Sequence, residues 1–395
     1  MEIRTCRTVY EPEEDSLLLQ ECLEAMDLND ARVLDMGCGS GILSLTAAGK
    51  GAQVTSADIN PDAVRCTKQN AGRNDLAVKA VHSDLFEQID QKFDLIICNS
   101  PYLPEDAHEV HDALTTAISG GPGGHEWCVR FLEKAQEYLL PGGQILLLFS
   151  TLSQPKKILA VADDRLYEYA PIAEKKVFFE TLLVYRFRRN AQCERLYGLN
   201  IKNIRFCARG MRGMVYQGWW KGVKVACKMK NPKSVAPHAV KREAKYLGQL
   251  NPHGIGPTLY FAEDDVVVRA FVDGVRIKDF LAEADAAIPV VEEIFRQCRL
   301  MDTLGIEKQE MKNPYKHILV TDNHEVVMID FERCRESSKP GNVTQLIQWI
   351  TSDEMQEMLA PYGLKYDVSV LRSLARTYKH DQSKENFQKI KDHIF

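Results

Sequence analysis

The sequence predicts two domains in one chain, an open α/β fold on a parallel sheet over residues 1–190 and an α+β domain over residues 196–395. Three observations predict it. At 395 residues the chain is too long for one ordinary core. The run Leu95-Ile96-Ile97-Cys98 is apolar without alternation and bounded by polar or turn residues, the pattern of a strand buried on both faces of a parallel sheet. Charge also divides the chain: residues 1–190 carry 19 Lys and Arg against 29 Asp and Glu, net −10, whereas the remainder carries 31 against 26, net +5.

Composition is that of a globular protein, 45% hydrophobic and 27% charged. No apolar run reaches the length of a membrane span, and the acidic start, with Glu2 and then Glu11 to Asp15, does not resemble a signal peptide, so a cytoplasmic protein is expected. Eleven cysteines, odd in number and without a Cys-x-x-Cys pair, fit neither a disulfide framework nor a zinc ribbon. They are expected to be reduced packing residues. His82, His108 and His111 lack metal-ligand spacing. The acidic first domain argues against tight nonspecific nucleic-acid binding, which needs several phosphates neutralised.

Along the first domain, Val9 to Leu19 (VYEPEEDSLLL) puts a Pro and acidic residues in a first helical turn, ahead of an apolar stretch that continues to about Met26. This helix is expected to lie over the site. Next, an apolar strand runs into Asp35-Met36-Gly37-Cys38-Gly39-Ser40-Gly41 and the amphipathic helix Ile42 to Ala48. Glycines there let backbone approach a ligand, and the helix N-terminus beyond favours an electron-rich partner. Asp58 closes the next strand, Val54 to Ala57, where an acid is placed to bind two ribose hydroxyls. A nicotinamide dehydrogenase would show as much. Asp84, after Val81-His82-Ser83, ends a third strand, Leu76 to Val81, at a position suited to an adenine amino group.

Asn99-Ser100-Pro101-Tyr102 ends the fourth strand, and ligands in open α/β sheets bind outside the carboxyl ends of strands. The Asn99 amide and a neighbouring backbone carbonyl together can accept both hydrogens of a planar NH2 group, and Tyr102 offers a flat face for stacking. A plain strand-ending turn is the alternative at these four residues. Ser119 to Gly124, a glycine run without a following Lys-Ser or Lys-Thr, reads as a flexible loop near the substrate entrance rather than a phosphate cradle.

The order DMGCGSG, SADIN, SDL, NSPY resembles the class I S-adenosylmethionine-dependent methyltransferases. With VYEPEEDSLLL and SGGPGGHEW at Ser119 to Trp127, residues 1–190 are similar to the HemK-type branch, and within it to the enzymes that methylate the glutamine of the GGQ motif of class I release factors. The resemblance implies a seven-stranded Rossmann-like sheet, with closing strands Gln144 to Phe149, Arg165 to Ala170 and an antiparallel Phe178 to Phe187. It implies that Asp35, Gly37, Gly39 and Gly41 line the methionine end of S-adenosylmethionine, Asp58 the ribose and Asp84 the adenine. Asn99 would bind the target amide nitrogen, beside Ser100, Pro101 and a stacking Tyr102. The family pattern is Asn-Pro-Pro-Tyr; Ser100 keeps the backbone carbonyl but gives up the fixed φ of Pro. Relatives use a small zinc-binding activator protein, which makes edge strand 76–81 a candidate docking site, and contact with tRNA or the ribosome is a further expectation.

From Arg186 to Glu194 the composition turns basic and polar. Beyond it, Gly210 and Gly213 mark a hairpin-like turn, Val225 to Lys228 a buried strand, and Ala239 to Leu250 a helix carrying Glu243, fifteen residues after Lys228. A strand Lys and a helix Glu can form an ion pair that positions nucleotide phosphates, or a surface salt bridge. The stretch Ile306 to Arg333 resembles the catalytic loop and Asp-Phe-Gly of protein kinases in the compact RIO-like style. That resemblance implies an ATP and Mg2+ site in which Lys228 and Glu243 pair and Asp330 binds the metal. Glu332 stands in place of the Gly, Glu310 is the nearest substitute for the absent base, and His317 replaces the metal-binding Asn.

Two other functions remain open in the sequence. An amide clamp suits adenine N6 equally well, so nucleic-acid amino methylation is one. A scaffold with two decayed sites is the other.

Overall fold

The computed structural model describes residues 1–105, 117–231, 239–284, 287–364 and 366–395; His108 and His111 lie outside them. The chain divides into two compact units, Met1–Phe206 and Cys207–Phe395.

The first unit contains α1 (Glu14–Glu24), β1 (Arg32–Met36), α2 (Ile42–Gly49), β2 (Gln53–Asp58), α3 (Pro61–Arg73), β3 (Val78–His82), β4 (Phe93–Asn99), α4 (Glu126–Ala135), β5 (Leu139–Ser150), α5 (Pro155–Asp164), β6 (Tyr167–Lys176), β7 (Thr181–Arg189) and α6 (Ala191–Gly198). Its seven strands run in the order β3-β2-β1-β4-β5-β7-β6, parallel except that β7 is antiparallel to both β5 and β6. This is the class I methyltransferase sheet. The chain reverses direction across the sheet between β1 and β4, so a crevice forms at the carboxyl ends of those two strands. Leu34, Ile96, Ile145 and Phe187 face one hydrophobic core, and Val33, Leu95, Ile97 and Val184 the other, which explains why the central strands read as continuous apolar runs.

Strand limits differ from the expectation where turn chemistry overrides apolar pattern. The last hairpin pairs Lys176 with Thr181, and Val177 donates its N–H to the Glu180 carbonyl at 3.0 Å. Phe178 and Phe179, expected to begin β7, therefore sit in the turn, and β6 extends to Lys176 rather than stopping at Ala170. The glycine run is held, not free. Leu103 bridges to Ser119, and a Cβ on Gly120 would lie 2.8 Å from the Pro101 carbonyl, one on Gly124 2.6 Å from that of Tyr102. Only glycine allows that approach.

The second unit is built on an antiparallel sheet of order β11-β12-β10-β9-β8, from β8 (Lys202–Arg209), β9 (Gly213–Trp220), β10 (Val223–Lys230), β11 (Leu259–Ala262) and β12 (Val266–Ala270), with the division between units falling inside β8. Helix α7 (Ala239–Leu250) follows β10. Then come β13 (Val275–Arg276), α8 (Ile277–Glu283), α9 (Ile288–Thr303), β14 (Ile306–Lys308), β15 (Ile318–Val320), β16 (Val326–Met328), β17 (Cys334–Glu336) and α10 (Asn342–Ile350), before further helices to Ile394. One core from Val240 to Ile394 packs it. Among the described residues no helix is long and apolar enough to cross a membrane.

Candidate active site

Because β1 pairs with both β2 and β4, the ends of these strands bring Asp35, the Gly37–Gly41 turn, Asp58 and Asn99 together. The turn needs its glycines: Gly37, Gly39 and Gly41 have φ of +79°, +52° and +86°, the left-handed region, and a Cβ on Gly41 would press within 3.0 Å of Thr67. Asp58 fixes the turn by accepting from the Gly39 N–H at 3.0 Å, while its other oxygen accepts from the Asn60 N–H at 2.8 Å.

Asp35 is fully buried. Its Oδ2 accepts from the N–H of Ser44 at 3.0 Å and from its hydroxyl at 2.5 Å, yet Oδ1 has no hydrogen-bond partner among the described residues. Burial pushes this carboxyl up to about 6, against the pull of Ser44. A buried carboxylate with a spare oxygen beside an open glycine turn fits a ligand that brings a cationic donor, such as the ammonium of an amino acid.

Asn99 shows the same signature. Its Nδ2 donates to Ser16 Oγ on α1 at 3.2 Å, leaving Oδ1 buried and without a partner among the described residues. In this orientation the amide oxygen is the end left to accept. Ser16 itself is only 5% exposed and its N–H donates to Asp15 Oδ1 at 2.6 Å. Tyr102 packs against both cores of this unit, and burial, with Asp15 next, raises its phenol well above the usual range. The sequence offered one signal for Ser16, a polar residue on the apolar face of an amphipathic helix; its partner 83 residues away was not legible.

Ser100 is 3% exposed; its hydroxyl donates to the Leu148 carbonyl of β5 at 2.5 Å and accepts from Cys128 Sγ at 3.2 Å. The hydroxyl thus ties the loop to the neighbouring strand, a different means of holding it from a fixed φ. Ser100→Pro is expected to cost about 1 kcal/mol of stability through the lost hydrogen bond and to lower methyl transfer. A denaturant melt and a turnover assay check this, and higher turnover in the variant would show the loop to be under-constrained instead. Asp84 stands apart, half exposed and paired with Arg130 at 3.3 Å.

The second unit gathers Lys228, Glu243, Asp330 and Glu332. Lys228, 7% exposed, reaches Glu243 Oε2 at 2.6 Å, Asp330 Oδ1 at 2.8 Å and Glu332 Oε2 at 2.9 Å. These carboxylates hold its ammonium above the ordinary range despite burial, while Lys228 and Lys308 bring Asp330 down to about 2 against its own desolvation. Lys308, unremarked in the sequence, is fully buried and donates to the Asp330 carbonyl. Glu310 lies off this cluster, held by Arg333 at 3.3 Å and Lys308 at 3.6 Å. His317 Nδ1 is 3.8 Å from Asp330 Oδ2, too long for a hydrogen bond, and burial with Lys308 lowers its basicity. Glu243, Asp330 and Glu332 could jointly hold a cation.

Residues 10–178 match the family model described as methyltransferase small domain. The chain is 39% identical over 178 residues to a Methanocaldococcus jannaschii protein named "Putative protein N5-glutamine methyltransferase", covering 45% of this chain and 89% of that protein. It is 32% identical over 193 residues to the methyltransferase HEMK2 of Homo sapiens, covering 46% and 90%. Among solved structures, the E. cuniculi Mtq2–Trm112 complex, described as responsible for methylation of the eRF1 translation termination factor, is 27% identical with a TM-score of 0.38, covering 46% of this chain and 99% of that one.

Proposed function

Since this chain belongs, through its first half, to the methyltransferase small domain family and is an S-adenosylmethionine-dependent N-methyltransferase, we propose that its acceptor is the side-chain amide of the GGQ glutamine of a class I translation release factor. The observation that supports this reading is the buried Oδ1 of Asn99 at the end of β4, an acceptor without a hydrogen-bond donor among the described residues. S-adenosylmethionine, when bound, would supply a methyl group already electrophilic on its sulfonium, leaving as the neutral thioether, and the one proton that the amide nitrogen gives up on methylation would pass to solvent. The chain's own residues do the rest. Asn99 Oδ1 and the Ser100 carbonyl accept the two amide hydrogens, which turns the nitrogen toward the methyl group and raises its nucleophilicity as positive charge develops. Tyr102 stacks on the planar amide and excludes water. Asp35 and the Gly37–Gly41 turn hold the methionine end of the cofactor, Asp58 the ribose, and Asp84, from its exposed position, the adenine.

The Asp35 assignment has a pH signature. A carboxyl displaced to about 6 must lose its proton before it can accept from the cofactor ammonium. Cofactor affinity is therefore expected to be constant above that pH and to fall about tenfold per pH unit below it. Calorimetry between pH 5 and 8 reads this directly. In Asp35→Asn the affinity should be low and the pH slope gone; an equally steep slope in that variant would remove Asp35 from the role.

The acceptor class is tested by offering release factor, ribosomal protein and tRNA side by side with labelled cofactor. Label in release factor supports the reading, label in ribosomal protein alone contradicts it, and label in RNA alone supports adenine methylation instead. Strand β3, at the sheet edge with its polar groups facing outward, is where a small zinc-binding activator would add a strand. For the second unit, the buried Lys228–Glu243 pair with Asp330 beside it supports a nucleotide–Mg2+ site of kinase-like design; Glu310, off this cluster and held by Arg333 and Lys308, is the nearest candidate for the base.

A further inference from the structure

The turn that joins β6 and β7 exposes two phenylalanines almost completely. Phe178 is 97% and Phe179 91% accessible, with ring centroids 6.2 Å apart. Nothing in folding favours leaving two such side chains in water, since burying either is worth about 1.5–3 kcal/mol. Adjacent exposed rings mark contact sites on protein surfaces. This pair does not hang on a loose loop. On one side Val177 packs into the core that also holds Tyr102, and on the other Thr181 donates its N–H to Thr151 Oγ1 at 3.0 Å. Lys175, in the strand leading to the turn, is ion-paired with Glu14 in the first turn of α1, next to Asp15 and Ser16. Ser16 is the residue that touches Asn99. Glu180, which closes the turn, has a buried Oε2 without a hydrogen-bond partner among the described residues, and its charge acts on the Tyr102 phenol.

The hairpin tip therefore stands at the rim of the crevice that ends in Asn99, rings outward and an unsatisfied carboxylate oxygen inward. We propose that Phe178 and Phe179 are the docking element for the folded protein substrate, seating an apolar patch beside the methylated residue while Glu180 accepts a hydrogen bond from the substrate chain entering the cleft. This rests on the reading of Asn99 as the acceptor site. An amide clamp binds one side chain, so it cannot by itself choose among proteins that display a glutamine; a second contact outside the cleft supplies that choice. Exposed rings also stack on nucleic-acid bases. The net charge of −10 over residues 1–190 opposes a polyanion here and favours a protein.

The test uses the full chain and its Phe178→Ser/Phe179→Ser double variant, with two acceptors: purified release factor, and a whole soluble protein extract. Because both rings are exposed, the variant is expected to fold, with unchanged cofactor affinity and melting temperature. KM for release factor should rise about thirtyfold with kcat unchanged, and label in the extract should fall in parallel. Equal KM in wild type and variant overturns the proposal. If the wild type labels extract protein but not release factor, the release-factor reading fails, and the hairpin stands or falls on whether the variant loses the extract label. Label found only in nucleic acid, or in no protein, overturns it.

Discussion

Asn99→Ala is expected to reduce methyl transfer by about 10²–10³-fold, the range for losing one preorganised group at a reacting centre, while cofactor affinity stays within about twofold. Asn99 Oδ1 is buried and unpartnered, so its removal leaves no internal hydrogen bond broken on that side. Among the described residues the partner lost is Ser16 Oγ, at a contact of 3.2 Å. The cofactor contacts proposed above lie on the other strand ends, at Asp35, Gly37 to Gly41 and Asp58, and the substitution does not touch them. Single-turnover assays with saturating cofactor separate the two quantities. Affinity lost in step with activity would place Asn99 in cofactor binding and remove it from the acceptor site.

Lys228→Met is expected to be the most destabilising single change in the second unit, by about 3–5 kcal/mol. The mutation leaves Glu243, 0% exposed, and the carboxylates of Asp330 and Glu332 without their shared cation. Arg269, 3.4 Å from Glu243, offsets part of this and places the effect toward the lower end. The pH dependence has a definite sign. In the wild type Asp330 is depressed to about 2, so its contribution is full above its unfolded value near 4 and is lost as pH falls toward 2. In the variant Asp330 loses the cation that depresses it, so the deficit should hold from pH 7 down to about 4 and shrink as pH falls from there toward 2. Calorimetry with and without S-adenosylmethionine identifies the transition of each unit, since ligand shifts only its own. Under the proposed nucleotide site, ATP and Mg2+ should stabilise the wild type and not this variant. Equal melting of wild type and variant at pH 7 would mean that the cluster is solvated and the ion pairs carry little.

Much of the first unit was legible because chemistry there sits where local patterns end. Asn99 follows an apolar run, and such a run ending in a polar residue marks a strand end without reference to the rest of the chain; Asp35 is marked by the glycine turn after it and Asp58 by its place about twenty residues beyond that turn. That β1 lies between β2 and β4 completes the site, and the reversal of strand order follows from the βαβ connections. Long-range partners were not legible. Ser16 reaches Asn99 from a helix, Ser100 is tied to Leu148 across a strand, and Lys308 meets Asp330 only through the fold. The hairpin tip misled for a different reason. Val177-Phe178-Phe179 has strong strand propensity, which reflects a half-buried pleated surface, and here the same residues are used outside one. Glu332 was noticed as a departure from Gly, but its role as the third carboxylate on Lys228 required coordinates.

The most direct test is tandem mass spectrometry of a class I release factor after incubation with this protein and labelled S-adenosylmethionine. The account predicts one added methyl group on the side-chain nitrogen of the GGQ glutamine, absent with Asn99→Ala. A methyl group on any other residue of the factor, or on adenine in accompanying RNA with the glutamine unmodified, would contradict it.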